Sequence, residues 1–133
     1  MTDTAATEMI QGLVPLAVTL GIIADTAAPG EVVLSLDWAS SLTTGGDVLH
    51  GGIVMALADT SGAVCAFLNL PEGAGGTTTI ESKTNFFAAT RAGTVKAHSR
   101  PLHIGRRVIV VETEIRGEGG KLAAKTIQSQ AVL

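Results

Sequence analysis

The segment Leu49–Gly62, LHGGIVMALADTSG, has a histidine and two glycines near its start, followed by an apolar helical pattern that contains a single carboxylate. His50 and the pair Gly51-Gly52 stand where the predicted helix begins, and Asp59 stands in its middle. An aspartate favours caps and turns over helix interiors, and burying it without a partner is unfavourable. We therefore expect Asp59 to have a function.

Composition limits what this chain can be. It has 133 residues, of which 46% are hydrophobic and 16% charged, which is typical of a globular protein and predicts a single domain over residues 1–133. The net charge of −3 argues against nucleic acid as a partner. Neither a signal peptide nor an apolar run of membrane-spanning length is apparent, so we expect a cytoplasmic protein with no membrane contact. Cys65 lies in the apolar helix, where it is predicted to be a small buried side chain.

The hydrophobic pattern predicts an α+β fold, with one antiparallel sheet wrapped around a long central helix. The predicted helices cover 4–13 and 51–68, the predicted strands cover 16–25, 31–38, 77–87, 94–102, 106–116 and 121–133, and loops cover 39–49 and 71–76.

The central helix has two apolar faces, so we expect one to pack on the sheet and the other against a partner. The first comprises Ile53, Leu57, Thr60, Val64 and Phe67, and the second comprises Met55, Asp59, Gly62, Ala63 and Ala66.

The spacing between His50 and Asp59 bears on how a site could be assembled. Nine residues of helix give about half a turn of phase and roughly 13 Å of rise. The two side chains should therefore not meet within one subunit. If they form one site, it is built from two chains, which favours an obligate homodimer with two equivalent sites.

The start of the helix has the chemistry of an oxyanion hole. Glycines let a ligand approach the backbone closely, and the first N–H groups of a helix lack internal partners and lie at its positive end. We expect the Gly51 N–H to be the main donor to a carbonyl oxygen, with Gly52 beside it. His50 is expected to orient the loop or polarise the carbonyl. The alternative is that these residues only cap the helix and permit close packing.

Asp59 could act as a nucleophile or as a general base that activates water, since desolvation in an apolar site would strengthen the carboxylate as a base. The alternative is a structural carboxylate that accepts hydrogen bonds from the backbone or from a Ser or Thr hydroxyl.

Several motifs resemble a known family. They are Leu49-His50-Gly51-Gly52 with Asp59 nine residues after the histidine, Thr84-Asn85-Phe86, and the basic turn His103-Ile104-Gly105-Arg106-Arg107. Together with the element order, they resemble the hotdog fold, and within it the small acyl-CoA thioesterases of the phenylacetyl-CoA (PaaI-like) and 4-hydroxybenzoyl-CoA type. The resemblance covers nearly all of the chain after about residue 15.

The resemblance implies a dimer, commonly a dimer of dimers, and adds site residues. Thr79 resembles a family position whose hydroxyl helps to place the attacking water, the alternative being an ordinary strand threonine. Thr44, six residues before His50, stands where the family often has Asn or Gln, and we assign it to substrate binding. The pair Ala88-Ala89 replaces the common Arg-Pro pair, which would alter the rim of the coenzyme A site.

Arg106 and Arg107 flank a predicted turn, and arginine forks suit the phosphates of coenzyme A. With Arg91 they are assigned to the nucleotide end of the substrate, the alternative being a solvated hairpin tip. The His and carboxylate residues lack the spacing of metal ligands, so no metal and no cofactor is expected beyond the coenzyme A of the substrate.

The sequence thus predicts hydrolysis of an acyl-CoA thioester to a free acid and coenzyme A. Two alternatives stay open: an acyl-CoA-binding protein without catalysis, and a hotdog dehydratase acting on hydroxyacyl thioesters. The absence of a His-Phe-Pro-like motif disfavours the dehydratase.

Overall fold

The computed structural model describes all 133 residues. Two short helices lie at the start of the chain, and a long helix follows the second strand. The helices are α1 (Thr4–Leu13), α2 (Pro15–Leu20) and α3 (Gly51–Phe67), and the strands are β1 (Ile23–Ala28), β2 (Glu31–Asp37), β3 (Thr77–Phe86), β4 (Thr94–Ile104), β5 (Val108–Arg116) and β6 (Leu122–Val132).

All six strands form one antiparallel sheet in the order β1-β2-β4-β5-β6-β3. Helix α3 contacts every strand of this sheet, and its buried side chains join those of β2, β4 and β5 in the core. The predicted α+β arrangement, with a sheet around a central helix, is confirmed. Strand β3 is an edge strand, which leaves one side of its backbone without a neighbouring strand.

The predicted strand over 16–25 is wrong for most of its length. Pro15 begins α2, where its missing N–H costs nothing, and Gly21 ends that helix with a φ of 69°. Strand β1 begins only at Ile23. A short apolar run does not distinguish a strand from a buried helical turn, and here the Pro and Gly at its ends decided for the helix.

The boundaries of other elements differ by a few residues. Strand β4 extends to Ile104 and β5 begins at Val108, so Arg106 lies in the connecting turn. The loop between β2 and α3 contains two 3-10 turns, at Ser40–Leu42 and Gly45–Asp47.

Only part of the second face of α3 is exposed. Gly62 and Ala66 are buried, whereas Met55 and Asp59 are exposed in the single chain. Phe67, expected on the sheet-packed face, is 45% exposed. The exposed residues form one stripe along the helix, beside the edge strand β3.

Candidate active site

The loop before α3 fixes the position of His50. The His50 N–H donates to the Leu42 carbonyl oxygen at 2.9 Å, and the Leu49 N–H donates to the Thr90 carbonyl oxygen at 2.8 Å. His50 caps α3, with its Nδ1 accepting from the Gly52 N–H at 2.8 Å. In the neutral ring, Nδ1 as acceptor places the proton on Nε2, which is then available as a donor.

The two glycines at the start of α3 have different roles. A Cβ at Gly52 would lie 2.9 Å from His50 Nδ1, so the cap requires a glycine there. The Gly52 N–H is engaged by His50, whereas the Gly51 N–H, at the first position of α3, has no acceptor within the chain. Of the two expected donors, only Gly51 therefore has an N–H free for a ligand.

An open cleft of about 380 Å³ adjoins Gly51. The Phe86 ring lines this cleft, at 3.3 Å from the position that a Gly51 Cβ would take. Thr44 also lines it, with its N–H donating to the Val48 carbonyl oxygen at 2.8 Å. One cleft is thus lined by Gly51, the expected oxyanion donor, by Thr44, assigned to substrate binding, and by Phe86, which had no assigned role.

Asp59 lies farther along α3 and is held by the sheet. Its Oδ1 accepts from the Thr79 hydroxyl at 3.1 Å and from Gln128 Nε2 at 3.1 Å. Gln130 Nε2 in turn donates to Thr79 Oγ1 at 2.7 Å. Oδ2 of Asp59 accepts no hydrogen bond from the chain. One oxygen of the carboxylate is therefore fixed and the other is free.

A second cleft, of about 400 Å³, reaches Asp59 from the side of α1. Its apolar walls come from Met9 and Leu13 of α1 and from Ala63 and Phe67 of α3. Nothing in the sequence pattern of α1 indicates that it packs beside Asp59.

The three candidate arginines do not lie together. Arg91 lies in the loop before the first residue of β4, whereas Arg106 and Arg107 lie in the turn after its last residue. Since β4 has 11 residues, these groups are separated by roughly 33 Å within one chain. All three side chains are exposed, and Arg106 and Arg107 line an open surface depression with His103.

Cys65 is fully buried, as predicted, and burial raises the pKa of its thiol to about 11. No group of three His, Cys, Asp or Glu side chains is positioned to hold a metal ion.

The model of the thioesterase superfamily matches residues 46–124, more than half of the chain. The chain belongs to the thioesterase superfamily. The match spans α3 and the strands around it, which carry His50, Gly51, Asp59 and Thr79.

Individual relatives of this superfamily member support the same assignment. A putative esterase of Saccharolobus solfataricus is 36% identical over 104 residues, covering 78% of this chain and 73% of that protein. A 1,4-dihydroxy-2-naphthoyl-CoA hydrolase of Escherichia coli is 34% identical over 86 residues, covering 65% of this chain and 62% of that protein. The crystal structure of a thioesterase from Haemophilus influenzae covers 100% of this chain and 92% of its own, with a TM-score of 0.88 and 27% identity. The hotdog fold expected for this superfamily member is thereby confirmed.

Two site residues of this thioesterase-superfamily chain escaped the sequence analysis. Gln128 and Gln130 are each 1% exposed and face α3 from β6. The available signal was two glutamines at alternate positions of a strand, on the face that carries Ala124 and Thr126. Polar side chains on the buried face of a strand are uncommon and indicate a hydrogen-bonded role.

None of the helices in this chain has both the length and the apolar character needed to cross a membrane.

Proposed function

We propose that this protein hydrolyses an acyl-CoA thioester to a free acid and coenzyme A. The observation that carries the proposal is the pair of unengaged groups on α3: the Gly51 N–H at its start and Oδ2 of Asp59 in its middle. The N–H would stabilise the oxyanion as the carbonyl carbon becomes tetrahedral, an interaction that can contribute about 3 kcal/mol. Asp59 would drive the attack of water. Water forms the new C–O bond and gives up a proton, the C–S bond breaks, and the proton that the water lost reaches the departing thiolate of coenzyme A.

In this proposal the two groups of one site come from different subunits. Asp59 lies eight positions after Gly51, which gives about 12 Å of rise along α3. Reacting atoms must approach to about 3–3.5 Å, so the two groups of one chain cannot serve the same carbonyl. The active unit would therefore be a homodimer.

The position of β3 supports a two-fold arrangement. Gly51 lies against Phe86 at the end of β3, and Asp59 bonds to Thr79 near its start. Antiparallel pairing of two copies of β3 about its middle would place the partner subunit's Thr79 opposite Thr84, two residues from Phe86. Asp59 of the partner subunit would then approach the Gly51 N–H, and each interface would contain two such sites.

The exposed apolar side chains along this edge support the same interface. Ile80 is 62% exposed, Phe86 50% and Phe87 60%, and Met55 and Phe67 of α3 are exposed beside them. A long edge strand with such side chains invites pairing with another chain. Pairing along β3 would also bring the partner's turn between β4 and β5, with its arginines, to the end of the sheet where Gly51 lies.

The two clefts fit the two parts of the substrate. The pantetheine arm of coenzyme A would pass Thr44 and Phe86 to reach Gly51. The phosphates of coenzyme A would then lie near the arginines in the partner's turn between β4 and β5. The apolar cleft between α1 and α3 would receive the acyl group beside Asp59, since its walls are aliphatic and aromatic. This assignment makes Met9, Leu13 and Phe67 the residues in contact with the acyl group.

The test is release of free thiol from aromatic and aliphatic acyl-CoA panels, with Asp59→Asn measured alongside. Cys65 is buried and protonated at assay pH, so the native enzyme itself should not react with the thiol reagent. Turnover by the wild type and its loss in Asp59→Asn, with ligand binding retained, would support the proposal. Binding of acyl-CoA without turnover of any panel member would instead favour the binding protein. Equal turnover by both proteins would remove Asp59 from the mechanism.

A further inference from the structure

The amide of Gln128 lies between Asp59 and the backbone of α3. Its side chain is 1% exposed, and Nε2 donates to Asp59 Oδ1 at 3.1 Å. Its Oε1 is buried and has no hydrogen-bond partner. It is the only buried side-chain polar atom of the chain in that condition.

An unpartnered buried oxygen is unfavourable for folding, since it has lost water and gained no donor. An apolar side chain of similar volume would avoid this loss at position 128. Stability therefore does not explain why this residue is a glutamine. What a glutamine provides here, and an apolar side chain would not, is the hydrogen bond to Asp59.

Gly62 makes room for this amide. A Cβ at Gly62 would lie 1.9 Å from Gln128 Oε1 and 2.5 Å from its Cδ. Any other residue at this helical position would force the amide away from α3. A helix-interior glycine is itself unfavourable by conformational entropy, so two unfavourable features coincide at this one contact.

The second donor to Asp59, Thr79, is oriented by another glutamine of β6. Gln130 Nε2 donates to Thr79 Oγ1, which leaves the hydroxyl hydrogen of Thr79 directed to Asp59 Oδ1. Both donors therefore converge on Oδ1: Gln128 donates directly from β6, and Thr79 is held by Gln130 of the same strand. Oδ2 is left without a hydrogen-bond partner in the chain.

We propose that Gln128 is a positioning residue that fixes the Asp59 carboxylate with Oδ2 free for water or substrate, and that Gly62 is required for this role. The inference rests on the proposed function, because it presumes that Asp59 acts on the substrate. Gln128 would not touch the substrate; it would act only through Asp59.

Gln128→Met is the main test, because it keeps the length of the side chain and removes both the donor and the unpartnered oxygen. We expect kcat to fall about 10- to 100-fold, since small misplacements of a reacting group have effects of this size. KM should stay within about twofold and the melting temperature should be unchanged or higher. A residue with a structural role alone would lower the melting temperature and leave kcat of the folded protein unchanged.

Thr126→Val is the matched control. Thr126 is fully buried on the same face of β6 and pairs with the Thr84 hydroxyl at 2.7 Å, but it does not contact Asp59. We expect this variant to keep its kcat whatever its effect on stability. Gly62→Ala, which displaces the amide while keeping the glutamine, should lower kcat as Gln128→Met does, and it serves as the second variant if the first does not fold.

Asp59→Asn, measured in parallel, separates the two hypotheses. If the wild type releases no thiol from any thioester, the proposed function itself fails. If Asp59→Asn retains full turnover, the hydrolysis stands, but the role of Asp59 and with it the positioning role of Gln128 are overturned. If Asp59→Asn is inactive while Gln128→Met and Gly62→Ala keep the wild-type kcat, only the positioning role is overturned.

Discussion

Gly51 contributes to the proposed site through its backbone N–H and not through a side chain. It occupies the first position of α3, where an N–H has no partner in the helix, and no other acceptor in the chain engages it. Its neighbour Gly52 differs, because its N–H is already held by His50. The two glycines are adjacent in sequence, yet only one offers a donor.

Replacing Gly51 by Pro should therefore remove the donor without breaking the helix. Proline is favoured at the first helical position, and His50, with φ −58° and ψ 133°, already has a backbone conformation that a following proline accepts. We expect kcat to fall about 10²- to 10³-fold, the usual effect of removing one oxyanion donor. Steady-state kinetics on the best thioester of the panel measures this.

The control for that variant is Gly51→Ala, which adds the same Cβ contact to Phe86, at 3.3 Å, but keeps the N–H. It should lose much less activity than Gly51→Pro. Equal losses in the two variants would mean that crowding against Phe86, and not the missing donor, is responsible.

At the scale of the elements, three neighbouring strands are joined by one partly buried carboxylate. Asp25 of β1 accepts from Ser35 of β2 at 2.9 Å and from Lys96 of β4 at 2.7 Å. Burial pushes the pKa of Asp25 upward, but the hydrogen bonds from Lys96 and Ser35 and the charge of Lys96 outweigh it, so the pKa is lowered overall.

A lowered pKa makes the contribution of Asp25 to stability dependent on pH. That contribution is present above the unfolded-state pKa of about 3.9 and is lost as the pH falls through the lower, folded-state pKa. We expect Asp25→Asn to weaken the acid dependence of the free energy of unfolding below about pH 4, measured by urea unfolding. Glu72→Gln, in an exposed loop, is the control and should leave the pH dependence unchanged.

The first two helices illustrate what decides an element when hydrophobicity is ambiguous. The apolar run after Pro15 fits a strand or a short helix equally well. Proline at its start and Gly21 in a left-handed conformation at its end favour α2. Helix α1 then contacts α2 and β1 and lines the cleft that reaches Asp59.

At the scale of the whole molecule, a site built from two chains predicts that two inactive variants restore activity when mixed, whereas a site within one chain predicts no recovery. Gly51→Pro and Asp59→Asn subunits should each be inactive as homodimers. Mixed in equal amounts, they should recover about a quarter of the wild-type activity, since half of the dimers are mixed and each has one intact site out of two.

Co-expression with two different affinity tags, followed by light scattering and thiol release, measures the mass and the activity of the mixed dimers. A control mixture of Asp59→Asn with itself carries the same tags. Mixed dimers without activity would mean that both groups of a site belong to one chain, and a monomeric mass would exclude the shared site.

The helix α3 and most of the strands of this protein could be predicted from its sequence. Helical periodicity, the cap residue and the glycines are properties of neighbouring residues, so α3, its start at Gly51 and the position of Asp59 within it were all correctly anticipated. The four strands after α3 followed from turn residues and alternation in the same way, with errors of a few residues at their ends.

The surroundings of Asp59 depended on the tertiary structure. Gln128 and Gln130 lie about seventy residues from Asp59 in the chain, and only the pairing of β6 with β3 brings them beneath the helix. The separation of Arg91 from Arg106 and Arg107, in contrast, follows from the length of β4, a strand that the sequence already predicted between them. Local patterns determine which elements form, because they reflect the conformational preferences of adjacent residues. Contacts between distant segments depend on how the sheet is ordered, and no periodicity in the sequence encodes that order.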